Sequence, residues 1–532
     1  MQKFARLLLP ALPLGFLAMV LVAPSLRLLA EGGPLQWWEP WTDPYLLRRL
    51  VWTFVQAGLT CGLALVLGLP LAWVLARWDF PGRLVLLRTL MLPFVVPTLV
   101  AAMGVLALWG PQGLVAGWGG PDLQGSPWLL LYGNLFFNLC LVVRAATDAL
   151  QQVSAARVAA ARTLGASPWR AFWRVEWPAI APWLMSALCL VFLYCFSGFG
   201  LALVLGGQDY ATVEVEIYTL VAHELQLAQA SVLALWMLLL TGLVALVYAV
   251  LERRLASALR ADRMPRRRPC GIGQWMALAL VLAVWMLVCV APLAAIAWRA
   301  LMAGSAAWSV LLNASTWQAL WNTARFTLLA VACSAVLGLA HAMAARRSLP
   351  MRALVFLPFV VSPVTVAFGL LLLYPQWTAS MGLLVAAYTL LAYPFVAKSV
   401  ASGLDAVPPH VLQAARTLGA TPWRVFVRVT LPMLRPALRR GLAFAAATAV
   451  GEFAVTLFLS RPEWATVTTL IYEHLGRPGA ANRDAAMVLA CLLMALALLI
   501  FVLIEWSAAP ASATGGDGDV RNNGVLVEHA HA

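Results

Sequence analysis

Polar residues that interrupt long apolar stretches are the first candidates for chemistry in this chain. Glu452 lies in one such stretch, and Asn134 and Asn138 lie one helical turn apart in another. A carboxylate inside a bilayer costs about 2.5–3.5 kcal/mol, so Glu452 either serves a transport route or is paired or hydrated near the end of its span. The two Asn residues favour hydrogen bonds between helices. Together with Tyr218, these residues are our candidates for the lining of a translocation route.

Residue patterns typical of catalysis do not occur in the sequence. The eight Cys residues form no CxxC pair, the six His residues are scattered, and no nucleophile is paired with a base. Only two lysines occur, Lys3 and Lys398, and neither follows a Gly. A phosphate-binding loop of the type GxxxxGK followed by Ser or Thr is therefore excluded. We expect no catalytic residue, no metal site and no cofactor, which disfavours a membrane-embedded enzyme.

The composition is that of a protein whose surface faces lipid. Of the 532 residues, 63% are hydrophobic and 11% are charged, whereas about a quarter are charged in soluble domains. A helix satisfies its own backbone in hydrocarbon and needs about 20 apolar residues to cross it. The sequence predicts an all-α polytopic membrane protein with about twelve transmembrane helices, near 7–30, 51–76, 86–109, 128–147, 181–205, 228–251, 275–298, 320–345, 352–374, 382–400, 436–460 and 484–507.

Basic residues predict the orientation. If the N-terminus lies inside, most of the 36 Lys and Arg residues fall in inside segments. This pattern predicts a bacterial inner (plasma) membrane protein with both termini cytoplasmic, and its first apolar stretch is a span rather than a signal peptide. The net charge of +14 is then explained by the anionic lipid surface. No soluble segment is large enough for a nucleic-acid-binding domain, so we expect no nucleic acid partner.

The chain contains an internal duplication. Residues 161–170 match residues 415–424 at nine of ten positions, and the offset of 254 also pairs Phe199 with Phe453 and Tyr218 with Tyr472. Both halves start inside, so the repeats are parallel. The predicted divisions are a first six-span repeat over 1–251, a basic cytoplasmic linker over 252–274, a second six-span repeat over 275–507 and a disordered cytoplasmic tail over 508–532.

A long inside loop is the best-matched part of the duplication. The first duplicated loop covers 148–180 and the second covers 401–435. Each reads as a short helix, a Gly that allows a sharp turn, and a second helix begun by Ser-Pro or Thr-Pro. Such a loop either lies on lipid or docks onto a partner with two equivalent surfaces, and the strong duplication favours docking. The candidate docking residues are Ala161, Arg162, Thr163, Leu164, Gly165, Ala166, Trp169, Arg170 and Phe172, and Ala415, Arg416, Thr417, Leu418, Gly419, Ala420, Trp423, Arg424 and Phe426.

Both loops resemble the cytoplasmic loop of binding-protein-dependent ABC importer permeases, whose pattern is Glu-Ala-Ala, three residues, then Gly. The Ala and Gly positions match, but Ala159 and Gln413 replace the Glu. The resemblance implies a type I (MetI-like) importer fold with no enzymatic activity of its own. It also implies two copies of a separate ABC ATPase subunit, each docked on one loop, and a periplasmic substrate-binding protein. A proton- or ion-coupled secondary transporter is the alternative of a different class.

The substrate is indicated less directly. Within the importer family the chain is most similar to fused permeases for thiamine or thiamine pyrophosphate, and fused ferric-iron permeases are the main rival. Glu214, Glu216, Tyr210 and Tyr218, placed in outward loops by the sequence, would suit a cationic aromatic solute. The same carboxylates would suit iron. The thiamine resemblance rests on 80–84, 110–113, 136–139, 175–178, 205–207, 211–214 and Ile217-Tyr218.

Overall fold

Long helices form from nearly every apolar stretch of the sequence. The computed structural model describes residues 2–33, 37–255, 266–346, 348–378, 380–459 and 461–506. Within these residues, ten helices are long and apolar enough to cross a membrane, and one bent pair of helices would make an eleventh. The predicted fold class, an all-α polytopic membrane protein with a repeated architecture, is confirmed. The predicted tail, 508–532, and part of the predicted linker, 256–265, lie outside the described residues.

Besides two four-residue helices at Glu39–Thr42 and Leu114–Gly117, eleven main helices build the described part of the first half. The first and eighth of them each contain one π-helical turn, at Ala18–Val22 and Phe172–Glu176. In chain order they are α1 (Gln2–Leu17 continuing to Ala23–Gly32), α2 (Pro44–Arg77), α3 (Arg83–Thr89), α4 (Leu92–Val95), α5 (Thr98–Trp109), α6 (Pro127–Gln151), α7 (Ala155–Thr163), α8 (Pro168–Ala171 continuing to Trp177–Phe196), α9 (Gly200–Leu205), α10 (Val213–Ala222) and α11 (Leu227–Leu255).

The second half repeats these helices in the same order. Every helix boundary between Ala155 and Ala222 recurs 254 residues later, and the π-helical turns recur at Met286–Val290 and Phe426–Thr430. The helices are α12 (Ile272–Trp285 continuing to Ala291–Met302), α13 (Ala314–Ala345), α14 (Leu349–Leu354), α15 (Leu357–Val360), α16 (Pro363–Leu373), α17 (Met381–Asp405), α18 (Pro409–Thr417), α19 (Pro422–Val425 continuing to Leu431–Val450), α20 (Ala454–Leu459), α21 (Val467–Gly476) and α22 (Ala480–Trp506).

Helices α8 and α19 differ from the predicted spans 181–205 and 436–460. The second part of α19, Leu431–Val450, is the predicted span 436–460, but it carries Arg435, Arg439 and Arg440 and is too polar to count among the apolar spans. It nevertheless packs against α13, α17 and α22. The predicted end is wrong because the helix stops at Val450, and the span predicted at 181–205 likewise stops at Phe196. Apolar residues continue past both stops, so hydropathy does not mark them.

Each half contains one span that is broken near its middle. The sequence Leu-Pro-Phe-Val-Val forms α4 and α15, and each of these is followed by an extended residue, Val96 or Val361. Prolines at 97 and 363 disfavour a helical conformation in the residue before them, which separates α4 from α5 and α15 from α16. In the second half the two pieces meet at 92°. Non-helical backbone at this depth is tolerated where it lines a cavity.

The two halves exchange their first helices. Helix α1 packs against α13, α16 and α17 of the second half as well as α11 of its own half, and α12 packs against α2, α5 and α6 of the first half as well as α22 of its own half. Both crossings depend on a Gly. A Cβ on Gly104 would lie 2.9 Å from the Pro292 carbonyl oxygen, and a Cβ on Gly369 would lie 2.9 Å from Pro24 Cβ. Small residues at such positions allow membrane helices to approach closely, so neither repeat is an independent body.

Candidate functional sites

Each duplicated loop contains a tight turn after its first helix. In the first loop the Gly165 N–H donates to the Arg162 carbonyl at 3.0 Å, and the Ala166 N–H donates to the Ala161 carbonyl at 3.1 Å. The second loop has the same two bonds, at the same lengths, around Gly419. This is the Schellman arrangement, which requires a left-handed residue after the helix. Gly165 has φ 83° and Gly419 has φ 78°.

The second helix of each loop begins with a side-chain cap. Ser167 Oγ accepts from the Arg170 N–H at 3.3 Å, and Thr421 Oγ1 accepts from the Arg424 N–H at 3.4 Å. Proline follows each cap and needs no hydrogen bond at that position. The same short-range chemistry therefore builds both loops, and the two copies fold alike because their sequences are alike.

The two loops present the same exposed surface. Burial is equal in class at every position from 161 to 176 and its counterpart from 415 to 430. Leu164 and Leu418 are 88% and 87% exposed, and Trp169 and Trp423 are 70% and 72% exposed. Large apolar side chains left open in matched pairs mark an interaction surface. Phe172 and Phe426 lie beside the Trp rings, with centroids 6.3 and 5.9 Å away. Exposed basic side chains surround each patch, at Arg162, Arg170, Arg416 and Arg424.

The first loop has an anchor that the second lacks at the equivalent position. Glu176 Oε2 accepts from Arg77 Nη2 at 2.8 Å, and both side chains are about 10% exposed. Arg77 ends α2, so this ion pair fastens the π-helical turn of α8 to a membrane-spanning helix. Thr430 stands where Glu176 would be repeated. Ala159 and Gln413, which replace the Glu of the resembled family, are both exposed.

A cavity of about 290 Å³ lies between the two halves. Both broken spans contribute to its wall, through Phe94 to Thr98 in the first half and through Pro358, Phe359, Val361 and Pro363 in the second. The ends of α8 and α19, the residues after them, and side chains of α6 and α17 complete it. Ring contacts run around the wall from Tyr194 to Phe94, Phe444, Phe395 and Phe359, with centroids 5.2 to 6.5 Å apart.

Three of the four candidate route residues line this cavity, namely Glu452, Asn134 and Asn138. Among the residues that the structure describes, Glu452 supplies the only carboxylate of the wall, and no Lys, Arg or His contributes to it. Tyr218 is not in the wall but lies behind Phe199, with ring centroids 5.6 Å apart. The structure thus brings together residues of α6 and of the segment after α19, and it leaves Tyr218 of α10 outside the cavity wall.

Asn134 and Asn138 belong to a polar network that includes a residue overlooked in the sequence. Gln56 on α2 is fully buried; its Oε1 accepts from Asn134 Nδ2 at 2.7 Å, and its Nε2 donates to the Cys195 carbonyl at 2.8 Å. Asn138 Nδ2 donates to the Asn134 carbonyl at 2.8 Å. The available signal was an amide in the middle of the apolar stretch 51–76. The network joins α2, α6 and α8.

Glu214 and Glu216 were wrongly placed in outward loops. Both lie buried in the first turn of α10. Glu214 Oε2 accepts from Ser362 Oγ at 2.7 Å, which links the two halves, and Glu216 Oε2 accepts from the Tyr45 hydroxyl at 2.9 Å. Their position between the predicted spans 181–205 and 228–251 suggested a loop, whereas partners far away in the sequence allow their burial.

The repeated fold and loops are accompanied by a family match in each half. The family described as binding-protein-dependent transport system inner membrane component matches residues 65–257 and 334–507. The chain belongs to this family. The family resemblance seen in the duplicated loops is confirmed, and the alternative of a secondary transporter is disfavoured. As a member of this family of transport components, the chain is a membrane component rather than an enzyme.

Similarity to characterised relatives in this binding-protein-dependent family covers nearly the whole chain. The thiamine transport system permease protein ThiP of Salmonella typhimurium is 28% identical over 511 residues, which is 92% of each chain. ThiP of Escherichia coli is 28% identical over 501 residues, or 88% of this chain and 90% of that one. The sulfate transport system permease protein CysW of Synechocystis is 33% identical over 210 residues, or 38% of this chain and 76% of that one.

Proposed function

We propose that the chain is the transmembrane permease subunit of an ATP-driven importer for thiamine or thiamine phosphates. The supporting observation is the similarity, over 88–92% of this chain, to ThiP proteins of several species. The rival substrate, ferric iron, is less well supported. Iron(III) is a hard cation that favours several oxygen ligands, whereas the cavity wall holds one carboxylate among aromatic rings. The described residues contain no group of three His, Cys, Asp or Glu side chains able to hold a metal ion.

The duplicated loops are the proposed docking sites for two copies of a separate ABC ATPase subunit. Two equal surfaces suit two equal partners, and each surface offers an exposed Leu and Trp with flanking arginines. An apolar side chain that is desolvated at the centre of an interface supplies most of its binding energy. ATP hydrolysis belongs to the partner chain, because this sequence has no phosphate-binding loop. In this arrangement the loops and both termini are cytoplasmic.

Alternating access is the proposed mechanism. Closure of the two ATPases moves the two loops, and α8 and α19 carry that movement to the cavity because each runs without interruption from its loop to the cavity wall. π-helical turns, which often occur at functional sites, lie at the start of both helices. Substrate delivered by a periplasmic binding protein enters the cavity when its outer side opens, past Glu452, Asn134 and Asn138.

Uptake of labelled thiamine tests this proposal. Cells that lack any other thiamine importer would carry the neighbouring ATPase and binding protein, with or without this chain. We expect uptake that depends on both the chain and ATP. Uptake of ferric iron but not thiamine in the same cells would retain the importer and overturn the substrate. No chain-dependent uptake of either solute would contradict the proposed function.

A further inference from the structure

The two repeats differ at one position where they meet in the cavity. Phe199 and Phe453 are equivalent residues, yet the residue before them is Gly198 in the first half and Glu452 in the second. All four line the cavity. A Cβ on Gly198 would lie 2.9 Å from the Tyr194 carbonyl oxygen, so this position accepts no side chain without a backbone shift. Only one of the two repeats can therefore supply a carboxylate here.

Glu452 is held in place without a basic partner in the cavity wall. Its side chain is 9% exposed, and its Oε1 accepts from the Val455 N–H at 3.0 Å, at the start of α20. Within the described part of the chain, no Lys, Arg or His lines the cavity. A buried carboxylate that has lost its water is stabilised strongly by a nearby cation. The local structure thus positions one negative charge whose natural complement is a single positive charge on a ligand.

Aromatic rings from both halves flank that carboxylate. The rings of Phe199 and Phe453 stack with centroids 6.0 Å apart and planes at 23°. Each is backed by an equivalent Tyr in its own half, Tyr218 at 5.6 Å from Phe199 and Tyr472 at 5.3 Å from Phe453. Aromatic faces attract organic cations, most strongly in a site that excludes water. They also offer a flat ring a surface of matching shape.

We propose that Glu452, Phe199 and Phe453 form a binding subsite for a singly charged organic cation that carries a flat aromatic ring. The carboxylate neutralises the charge, and the two Phe rings contact the ring of the ligand when the halves move apart. Gly198 leaves the opposite side of the subsite free of charge. This inference rests on the proposed importer function and deepens it, because it assigns the recognition of the substrate class to three residues of the permease itself.

Protection of a cysteine in the cavity measures occupancy of this subsite directly. Thr448 lines the cavity one helical turn before Glu452, so T448C would be labelled with N-ethylmaleimide in the purified permease–ATPase complex in lipid nanodiscs, without binding protein. The signal is the labelling of the T448C complex minus that of the complex without this substitution, which still contains the eight native Cys residues. The probes are thiamine, the flat cation N-methylquinolinium and the neutral 2-methylquinoline, which has a similar shape.

Two variants separate charge from shape. E452Q keeps an oxygen that accepts from the Val455 N–H and removes only the charge, and F453L keeps an apolar side chain and removes the ring. We expect either variant to raise the half-protecting concentration of both cations by at least about fivefold. The neutral 2-methylquinoline should not distinguish E452Q from the unchanged protein. E39Q is the control, because Glu39 is a half-buried carboxylate outside the cavity wall that accepts from Gln229 Nε2 within the first half, and it should leave protection unchanged.

The outcomes separate the subsite from the proposed substrate. Equal protection by the cations in E452Q, F453L and the unchanged protein would overturn the subsite while thiamine import could still stand. Protection by N-methylquinolinium but not by thiamine, lost in E452Q, would support the subsite and contradict thiamine as the substrate. If neither cation protects the unchanged protein, the subsite is wrong, and the uptake experiment alone decides the function.

Discussion

Gly419 combines an unusual backbone angle with open space. Its φ of 78° is one that residues with a Cβ rarely adopt, yet an added Cβ would meet no atom within 4 Å. A substitution there costs about 1–2 kcal/mol of backbone strain and does not clash inside the protein. A long charged side chain would instead project from the exposed surface of the second duplicated loop. Its main effect therefore falls on whatever partner binds that loop.

We expect G419R to abolish transport while the protein still inserts into the membrane. The measurement is thiamine uptake, together with the amount of permease in the membrane and the ATPase copurified with it. G119R is the matched control, because Gly119 is exposed, has φ 80° and also has no atom within 4 Å of an added Cβ, but lies in a different loop. Full uptake by G419R, or equal loss in G119R, would contradict a docking role.

The sequence predicted the local structure of the duplicated loops better than the positions of the buried carboxylates. The loop sequence specifies its own turn, because Gly165, Ser167 and Pro168 each act on backbone within a few positions. Glu214 is different, since its partner Ser362 is 148 positions away. A single sequence does not reveal such a partner, so a residue between the predicted spans 181–205 and 228–251 was assigned to a loop. Three cavity residues, Glu452, Asn134 and Asn138, were recognised individually, but their meeting in one cavity was not predictable for the same reason.

Among the elements, the Arg77–Glu176 ion pair connects a duplicated loop to the membrane-spanning helix α2. Removing one member of a buried pair leaves an uncompensated charge and costs about 3–5 kcal/mol, whereas removing both members costs less. We therefore expect E176Q and R77Q each to lower the thermal unfolding temperature in detergent more than the double variant does. In reconstituted complexes E176Q should also lower thiamine transported per ATP hydrolysed.

A double-mutant cycle distinguishes this pair from a general loss of packing. T430V is the control, because Thr430 is the buried counterpart of Glu176 in the second half and takes no part in an ion pair with Arg77. Its effect should be independent of R77Q. Additive effects of R77Q and E176Q on unfolding temperature would show that the ion pair does not hold the first loop to α2.

The helix crossings depend on two equivalent glycines. An added Cβ on Gly104 would already clash with Pro292, and one on Gly369 would clash with Pro24. A larger side chain at either position must therefore push the exchanged helix away. Overpacking of this kind typically costs about 1–3 kcal/mol. We expect G104V and G369V each to lower the unfolding temperature and the yield of inserted permease. G58V is the control, since Gly58 is exposed on α2 with no atom within 4 Å of an added Cβ.

Equal stability of G369V and G58V would mean that the crossing has room for a larger side chain.

Hydropathy predicted the positions of the helices better than their ends. Apolar stretches located most of the long helices, because crossing a bilayer requires length and composition alone. They did not locate the stops at Phe196 and Val450 or the breaks before Pro97 and Pro363, because these depend on backbone geometry within a continuously apolar sequence.

For the whole molecule, the exchange of first helices makes each half incomplete by itself. Without α1, the second half would expose the surface of α13, α16 and α17 that α1 covers, and without α12, the first half would expose the surface of α2, α5 and α6 that α12 covers. The duplication in sequence predicted equivalence of the halves but not this exchange, because an offset says which residues correspond and not which ones touch. We therefore expect packing between the helices, rather than the linker, to hold the two halves together.

We expect that a chain cut between residues 260 and 261 still functions when both fragments are made in the same cell. The cut falls in the linker, and the bonds of Arg267 with the backbone of Arg77 and Asp79, at 3.0 and 2.9 Å, would join the fragments rather than be lost. Burial of both exchanged helices supplies the main driving force through close packing. The measurements are copurification of the fragments and thiamine uptake, both relative to the intact chain.

The decisive control deletes α12 and keeps the residues of the cavity wall. A second fragment that begins after α12, at residue 303, keeps every wall residue that the second half contributes, yet it no longer covers α5 and α6. We expect it neither to copurify with the first fragment nor to support uptake. If the shortened fragment assembles as well as the full one, the exchanged helices are peripheral. If 261–532 transports thiamine without 1–260, the halves are independent units, and the cavity between them is not the route.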